Sequence, residues 1–196
     1  FQDNPAGYHL LSVLLHAGVS VLVFLGLRRI QADSTTAWLA ALLFAVHPIH
    51  TEAVAWISAF PDLQSSFFVL LGVWLYVRAA DSAGWRRRAL ETGVAACTLL
   101  GLLAKEIAVA LPLMLVLYEV QGRRDGVGAG LRPAPKAGRQ EAGAAGLPLF
   151  AWGAIALACA VYLALRWHGL GGLMPVASRF PGSRADVVAG WATLLY

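Results

Sequence analysis

Residues 36–78 read TAWLAALLFAVHPIHTEAVAWISAFPDLQSSFFVLLGVWLYVR, and this stretch decides the fold. Two apolar runs, Thr36 to Val46 and Leu63 to Val77, flank a segment in which Pro48 breaks any helix and His47, His50, Glu52 and Asp62 gather within sixteen residues. Similar apolar runs recur at Tyr8 to Leu27, Ala89 to Ala104, Ile107 to Tyr118 and Leu147 to Leu165. Of the 196 residues 59% are hydrophobic and 13% charged, whereas soluble domains are about half apolar and about a quarter charged. Too few polar residues remain to cover a water-facing surface, so the pattern predicts an all-α, polytopic transmembrane helical bundle. Cys97 and Cys159 both lie inside apolar runs, which excludes a disulfide framework.

The arginines give the topology. The net charge of +4 comes from short basic clusters between apolar runs, which argues against nucleic-acid binding. The clusters are Arg28–Arg29, then Arg78 with Arg86 to Arg88, then Arg123, Arg124, Arg132, Lys136 and Arg139. Short basic loops stay cytoplasmic, so the chain between neighbouring clusters must cross the membrane an even number of times. Thr36 to Val77 and Ala89 to Tyr118 then form two hairpins, with tips at His47 to Asp62 and at Lys105–Glu106 on the non-cytoplasmic side. This predicts about six crossings of a bilayer core that needs ~20 residues per helix. Spans are expected near 8–27, 36–57, 63–77, 89–104, 107–118 and 147–165, with a Gly-, Ala- and Pro-rich cytoplasmic linker over 121–146 and an outer loop over 166–186. The start at Phe1 and the last apolar run, 187–196, lead us to expect a fragment, 1–196 being part of a larger membrane domain. The seven tryptophans fall mostly near run ends, where interfacial anchoring accounts for them.

Run length adds depth. Residues 89–104 and 107–118 rise only ~24 Å and ~18 Å at ~1.5 Å per residue, against a hydrocarbon core of ~30 Å. The Lys105–Glu106 tip is therefore expected below the outer surface, as is His47–Pro48. Non-helical backbone at that depth needs a protein or water-filled cavity around it.

Ionisable groups in such a place are treated as functional by default. In His47-Pro48-Ile49-His50-Thr51-Glu52, two imidazoles and a carboxylate suit a divalent metal, and the carboxylate suits a base or a sugar hydroxyl. The plainer alternative is that these groups satisfy backbone freed by Pro48, and H-x-x-H-x-E is not a standard zinc spacing. Lys105–Glu106 offers a cation for a lipid-linked phosphate and a carboxylate to orient a substrate. The alternative there is an ion pair that makes a buried turn tolerable. Asp62 follows Pro61 at a helix start, where capping and site roles are both open. His9, Ser12 and His16 share one helix face and are expected to hydrogen-bond between helices. No nucleophile–base motif, phosphate-binding glycine loop or cysteine metal site occurs, which disfavours soluble-type hydrolases and nucleotide enzymes.

Three stretches carry a resemblance: NPAGYHLLSVLLHA (4–17), LLFAVHPIHTEAVAWISAFPDLQSSFFVLLGVWLYVR (42–78) and LLAKEIAVALPLMLVLYE (102–119). In this order and spacing they resemble the membrane half of the transmembrane and tetratricopeptide-repeat O-mannosyltransferases and their bacterial relatives, of the GT-C glycosyltransferase superfamily. The resemblance implies a GT-C-type bundle that takes a sugar, typically mannose, from a polyprenyl-phosphate donor to a protein acceptor's hydroxyl. It implies an integral, multi-pass protein of the bacterial inner membrane or the endoplasmic-reticulum membrane, active on the periplasmic or lumenal side. Carried onto this chain, it makes Glu52, Lys105 and Glu106 catalytic candidates and His47, His50 and Asp62 substrate-binding ones. Relatives carry a basic residue before the aspartate matching Asp62, where this chain has Ala59-Phe60-Pro61. That phosphate contact is expected to be lost or to move to Arg166, Arg179 or Arg184. The family's general base belongs to a first outer loop, so this fragment is expected to lack it. No cofactor is assigned beyond the divalent metal already named, and the partners are membrane lipid, donor and acceptor, with no nucleic acid. The rival classes are a transporter or lipid flippase, which inverted repeats would favour, and a non-catalytic scaffold.

Overall fold

The computed structural model describes residues 5–29, 33–124 and 149–170. Every regular element among them is helical: α1 (Pro5–Arg29), α2 (Ser34–Val46), α3 (Thr51–Ala55), α4 (Phe60–Ala80), α5 (Gly84–Ala104), α6 (Ala110–Arg124) and α7 (Leu149–Leu170). Short 3-10 turns at Pro48–His50, Ile57–Ala59 and Glu106–Val109 precede α3, α4 and α6. The chain divides into two compact units, Phe1–Cys159 and Ala160–Tyr196.

Local chemistry sets the boundaries. The Asp33 carboxylate caps α2, accepting from the Thr35 and Thr36 amides at 2.8 and 3.0 Å and from the Thr36 hydroxyl. At the other end Pro48 cannot continue the helix, and His47 is extended with φ −66° and ψ 129°. Between α4 and α5 the chain turns through Asp81–Ala83 into Gly84, whose φ of +59° favours glycine.

In the first unit α4 and α5 pack antiparallel through small residues. A Cβ on Gly72 would lie 2.6 Å from Leu111 Cδ2 and 3.3 Å from Cys97 Cβ, and one on Gly101 would lie 2.9 Å from Ala108 Cβ and 3.5 Å from Phe68 Cβ. Glycine here is what lets the backbones approach. Around this seam Tyr76, Val94, Cys97, Leu111, Leu115, Ala151 and Ile155 form the buried core. α1 lies beside α4 in the same direction, with Gly18 against Phe67 and Arg29 paired with Asp81. The Tyr76 hydroxyl donates to Glu119 at 2.8 Å and ties α4 to α6.

The all-α class stands. By length and composition three helices can cross a membrane, Ala6–Arg29, Ile57–Ala80 and Leu149–His168, or four if Ser34–Val46 and Pro48–Ala55, bent by 46°, are one broken span. α5 and α6 do not meet that test. α5 carries Arg86, Arg87, Arg88 and Glu91, and α6 has 15 residues. The helices do not coincide with the apolar runs at every end. Arg86 to Arg88, expected in a loop before residue 89, lie in the first five residues of α5, with Arg86 and Arg88 exposed and Arg87 bonded to Glu91 one turn on. Residues 106–109 are 3-10 and not α-helical. α7 continues through Leu170, into the expected outer loop. Most of the 121–146 linker and all of 171–196 lie outside the described residues.

Candidate functional site

Lys105 and Asp62 lie at one end of the α4–α5 hairpin, opposite the arginines. α5 ends where Lys105 turns extended, with φ −159° and ψ 142°. From there the 3-10 turn doubles back so that Ala108 sits on Gly101. The turn aims Lys105 across to the first turn of α4, where its Nζ donates to Asp62 Oδ1 at 2.5 Å. The two side chains are 44% and 40% exposed, so the pair is reachable from outside the bundle. Asp62 does not cap α4. The cap position is Ala59, without a side-chain bond, and Asp62 sits in the first turn, where the helix dipole favours a carboxylate.

The His-Pro-x-His segment packs half-way along α1. The His50 ring lies between Phe44, 4.3 Å away centroid to centroid, and His16, 5.1 Å away. His16 Nε2 is 2.9 Å from the Ala45 carbonyl, a helix-to-helix bond that satisfies one of the last carbonyls of α2. His47 accepts the Ile49 amide on Nδ1 at 3.2 Å, which caps the 3-10 turn and places the ring proton on Nε2. Since His16 follows Pro5 by eleven residues, the break lies ~16 Å along α1 from its N-terminus at ~1.5 Å per residue. Ser12 is buried on the same face of α1, while His9 is exposed.

Of the expected site residues, the structure joins Lys105 with Asp62 and His47 with His50, and leaves Glu52 exposed on α3. Glu106 follows Lys105 in the 3-10 turn and is exposed. Arg166 belongs to the second unit, where it donates to the Tyr162 hydroxyl at 2.7 Å. Arg184 lies outside the described residues. Among the described residues no group of three or more His, Cys, Asp or Glu side chains is arranged to hold a metal ion. Two further polar residues stand out beyond the expected set. His16 reaches His50 across 34 positions, and Ser65, one turn beyond Asp62 on α4, is fully buried with no hydrogen-bond partner for its hydroxyl. A polar residue three positions from Asp62 within an apolar run is the signal that marks Ser65.

The family model described as "Dolichyl-phosphate-mannose-protein mannosyltransferase" matches residues 1–120, a stretch that contains both polar segments and every bond between them. The chain belongs to this family. Protein O-mannosyl-transferase TMTC2 of Mus musculus is 37% identical over 121 residues, covering 60% of this chain and 14% of the relative. TMTC3 of Homo sapiens is 38% identical over 120 residues, covering 60% and 13%. Tmtc1 of Drosophila melanogaster is 39% identical over 117 residues, again covering 60% and 13%. The chain thus spans about one-seventh of the length of these relatives. No solved structure matches.

Proposed function

We propose that this mannosyltransferase-family chain forms part of the catalytic membrane domain of an O-mannosyltransferase. The donor is a polyprenyl-phosphate sugar, and the acceptor a protein hydroxyl on the non-cytoplasmic side. The observation that carries this proposal is the Lys105–Asp62 pair, a half-exposed cation held by a carboxylate at the end opposite the arginines. A lipid-anchored phosphate needs such a group. In direct displacement the acceptor oxygen attacks the anomeric carbon, the carbon–oxygen bond to phosphate breaks, and its electron pair passes to the phosphate. An ammonium beside that oxygen stabilises the charge that develops.

In this scheme Lys105 takes the donor phosphate and Asp62 positions it. Glu52 and Glu106 bind or orient sugar and acceptor, and the acceptor proton passes to the carboxylate of the family's first outer loop. His47 and His50 line the approach and hold the break in α2 in shape. Six crossings, with α5 and α6 completing the set inside the bundle, bring the two tips to the same side. That arrangement follows from the basic clusters. The break at Pro48, part-way along α1, supports a recessed site.

The test is transfer of mannose from a synthetic polyprenyl-phosphate mannose to a serine- and threonine-containing peptide by the full-length protein that carries this chain, reconstituted in vesicles. Transfer that requires Lys105 supports the proposal. No transfer, together with movement of the lipid between leaflets, would assign the chain to the transporter class instead.

A further inference from the structure

The end of the first unit away from Lys105 gathers the C-termini of α1 and α4 and the N-termini of α2 and α5, and with them six described arginines. They sort into two kinds. Arg29 pairs with Asp81 between α1 and α4, and Arg87 donates through Nε to the buried Glu91 at 2.8 Å. These two side chains are half-buried. Arg28, Arg78, Arg86 and Arg88 are exposed, and none has a carboxylate partner among the described residues. Arg28 donates to the neutral Ser34 hydroxyl, and the Arg78 guanidinium lies 5.3 Å from the Trp74 ring centroid. Among the described residues the carboxylates at this end are already engaged: Asp33 caps α2, Asp81 and Glu91 hold the two half-buried arginines, and Glu119 accepts from Tyr76. Beside these four arginines stands Trp85, 81% exposed, with Trp74 one turn before Arg78.

We propose that Arg28, Arg78, Arg86 and Arg88 form a binding surface for anionic phospholipid headgroups, seated at the bilayer interface by Trp85 and Trp74. Three features point to a lipid in preference to a soluble anion. Indole rings at headgroup depth are the ordinary interfacial anchors. Guanidinium groups bond a phosphodiester through two parallel N–H donors. The four cations are spread over the rim of three helix ends and not focused in a pocket, which matches a layer of headgroups. Clustered juxtamembrane bases act in this way on anionic leaflets.

The test uses the whole chain in phosphatidylcholine vesicles that contain phosphatidylglycerol as a minor component. The quenching of Trp85 by brominated phosphatidylglycerol is compared with that by brominated phosphatidylcholine, with Trp85→Phe giving the background from the other tryptophans. The expected result is about fivefold enrichment of phosphatidylglycerol around Trp85, falling as salt is raised. Changing the four arginines together to Gln should bring the two lipids to parity, whereas changing them to Lys should keep part of the preference, the charge remaining and the paired N–H donors being lost. Parity in the unaltered chain, or enrichment that survives the Gln changes, overturns the proposal. So does loss of the enrichment to added inorganic phosphate at matched ionic strength, since that describes a free-anion site. If the Gln variant fails to insert, the salt series and the Lys variant decide: enrichment insensitive to salt, or lost in the Lys variant, overturns it.

Discussion

Replacing Lys105 by Gln separates the two jobs its ammonium can have. As a structural ion pair, Lys105–Asp62 joins side chains that are 44% and 40% exposed, and such pairs contribute only about 0.2–1 kcal/mol after solvent screening. Lys105→Gln should therefore leave insertion and the thermal midpoint nearly unchanged. As the group that stabilises a leaving phosphate, the same ammonium is worth about 3 kcal/mol, so mannose transfer should fall by a factor of about a hundred or more. The pairing allows a sharper experiment. Asp62→Asn alone should weaken donor binding, raising the KM for polyprenyl-phosphate mannose several-fold, because the ammonium is no longer held in place. In a Lys105→Gln background the same change should do nothing further, since there is no charge left to position. A swapped pair, Asp62→Lys with Lys105→Asp, should move the midpoint by no more than about 1 kcal/mol, through the helix dipole at position 62, and should not recover transfer. The assay is transfer to a peptide by reconstituted protein, with midpoints measured in parallel. Unaltered transfer by Lys105→Gln, full activity in the swapped pair, or a further loss from Asp62→Asn in the Gln background would each refute this reasoning.

Three other outcomes are expected. Gly72→Ala puts a methyl 2.6 Å from Leu111 Cδ2, and as Leu111 is fully buried the seam must shift, costing about 1–3 kcal/mol in an unfolding titration. Tyr76→Phe removes the hydroxyl that donates to Glu119 at 2.8 Å and should destabilise the α4–α6 contact by about 1–3 kcal/mol, whereas Tyr76→Phe combined with Glu119→Leu should recover part of it. The Thr36 hydroxyl, with the Thr36 and Thr35 amides, holds the Asp33 carboxyl below the usual carboxylate range. The folded state thus binds that proton less readily than the unfolded one. The cap is at full strength above the unfolded value and weakens as pH falls through the folded one, so the protection of the Thr35 and Thr36 amides, measured against their intrinsic exchange rates, should fall at acid pH and lose that pH dependence in Asp33→Asn.

Much of this architecture is legible in the residues. The apolar runs 8–27, 63–77 and 147–165 lie within or nearly within α1, α4 and α7, because span length and apolarity are properties of a local window. Pro48 marks the break in α2 for an equally local reason. The first turn of α5 is harder to see, since three consecutive arginines look like loop until one knows that Gly84 starts a helix in front of them. The bond from Lys105 to Asp62 is not legible at all. Each residue draws attention alone, but they stand 43 positions apart, and their meeting depends on the glycine seam that sets the height of α5 against α4. His16 and His50 are the same case, joined only once α2 has ended beside the middle of α1.

The seat of Ala108 on Gly101 makes the two ends of the α4–α5 hairpin unequal in how they bear a change of length. At the arginine end, Asp81–Ala83 faces outward, so an added residue can bulge away from the helices. Past Lys105 there is no slack, because the returning chain is wedged against α5 within three residues. One residue inserted there would rotate the ammonium off its carboxylate before it lengthened the turn. Families that vary freely in the first connection should keep the second at fixed length.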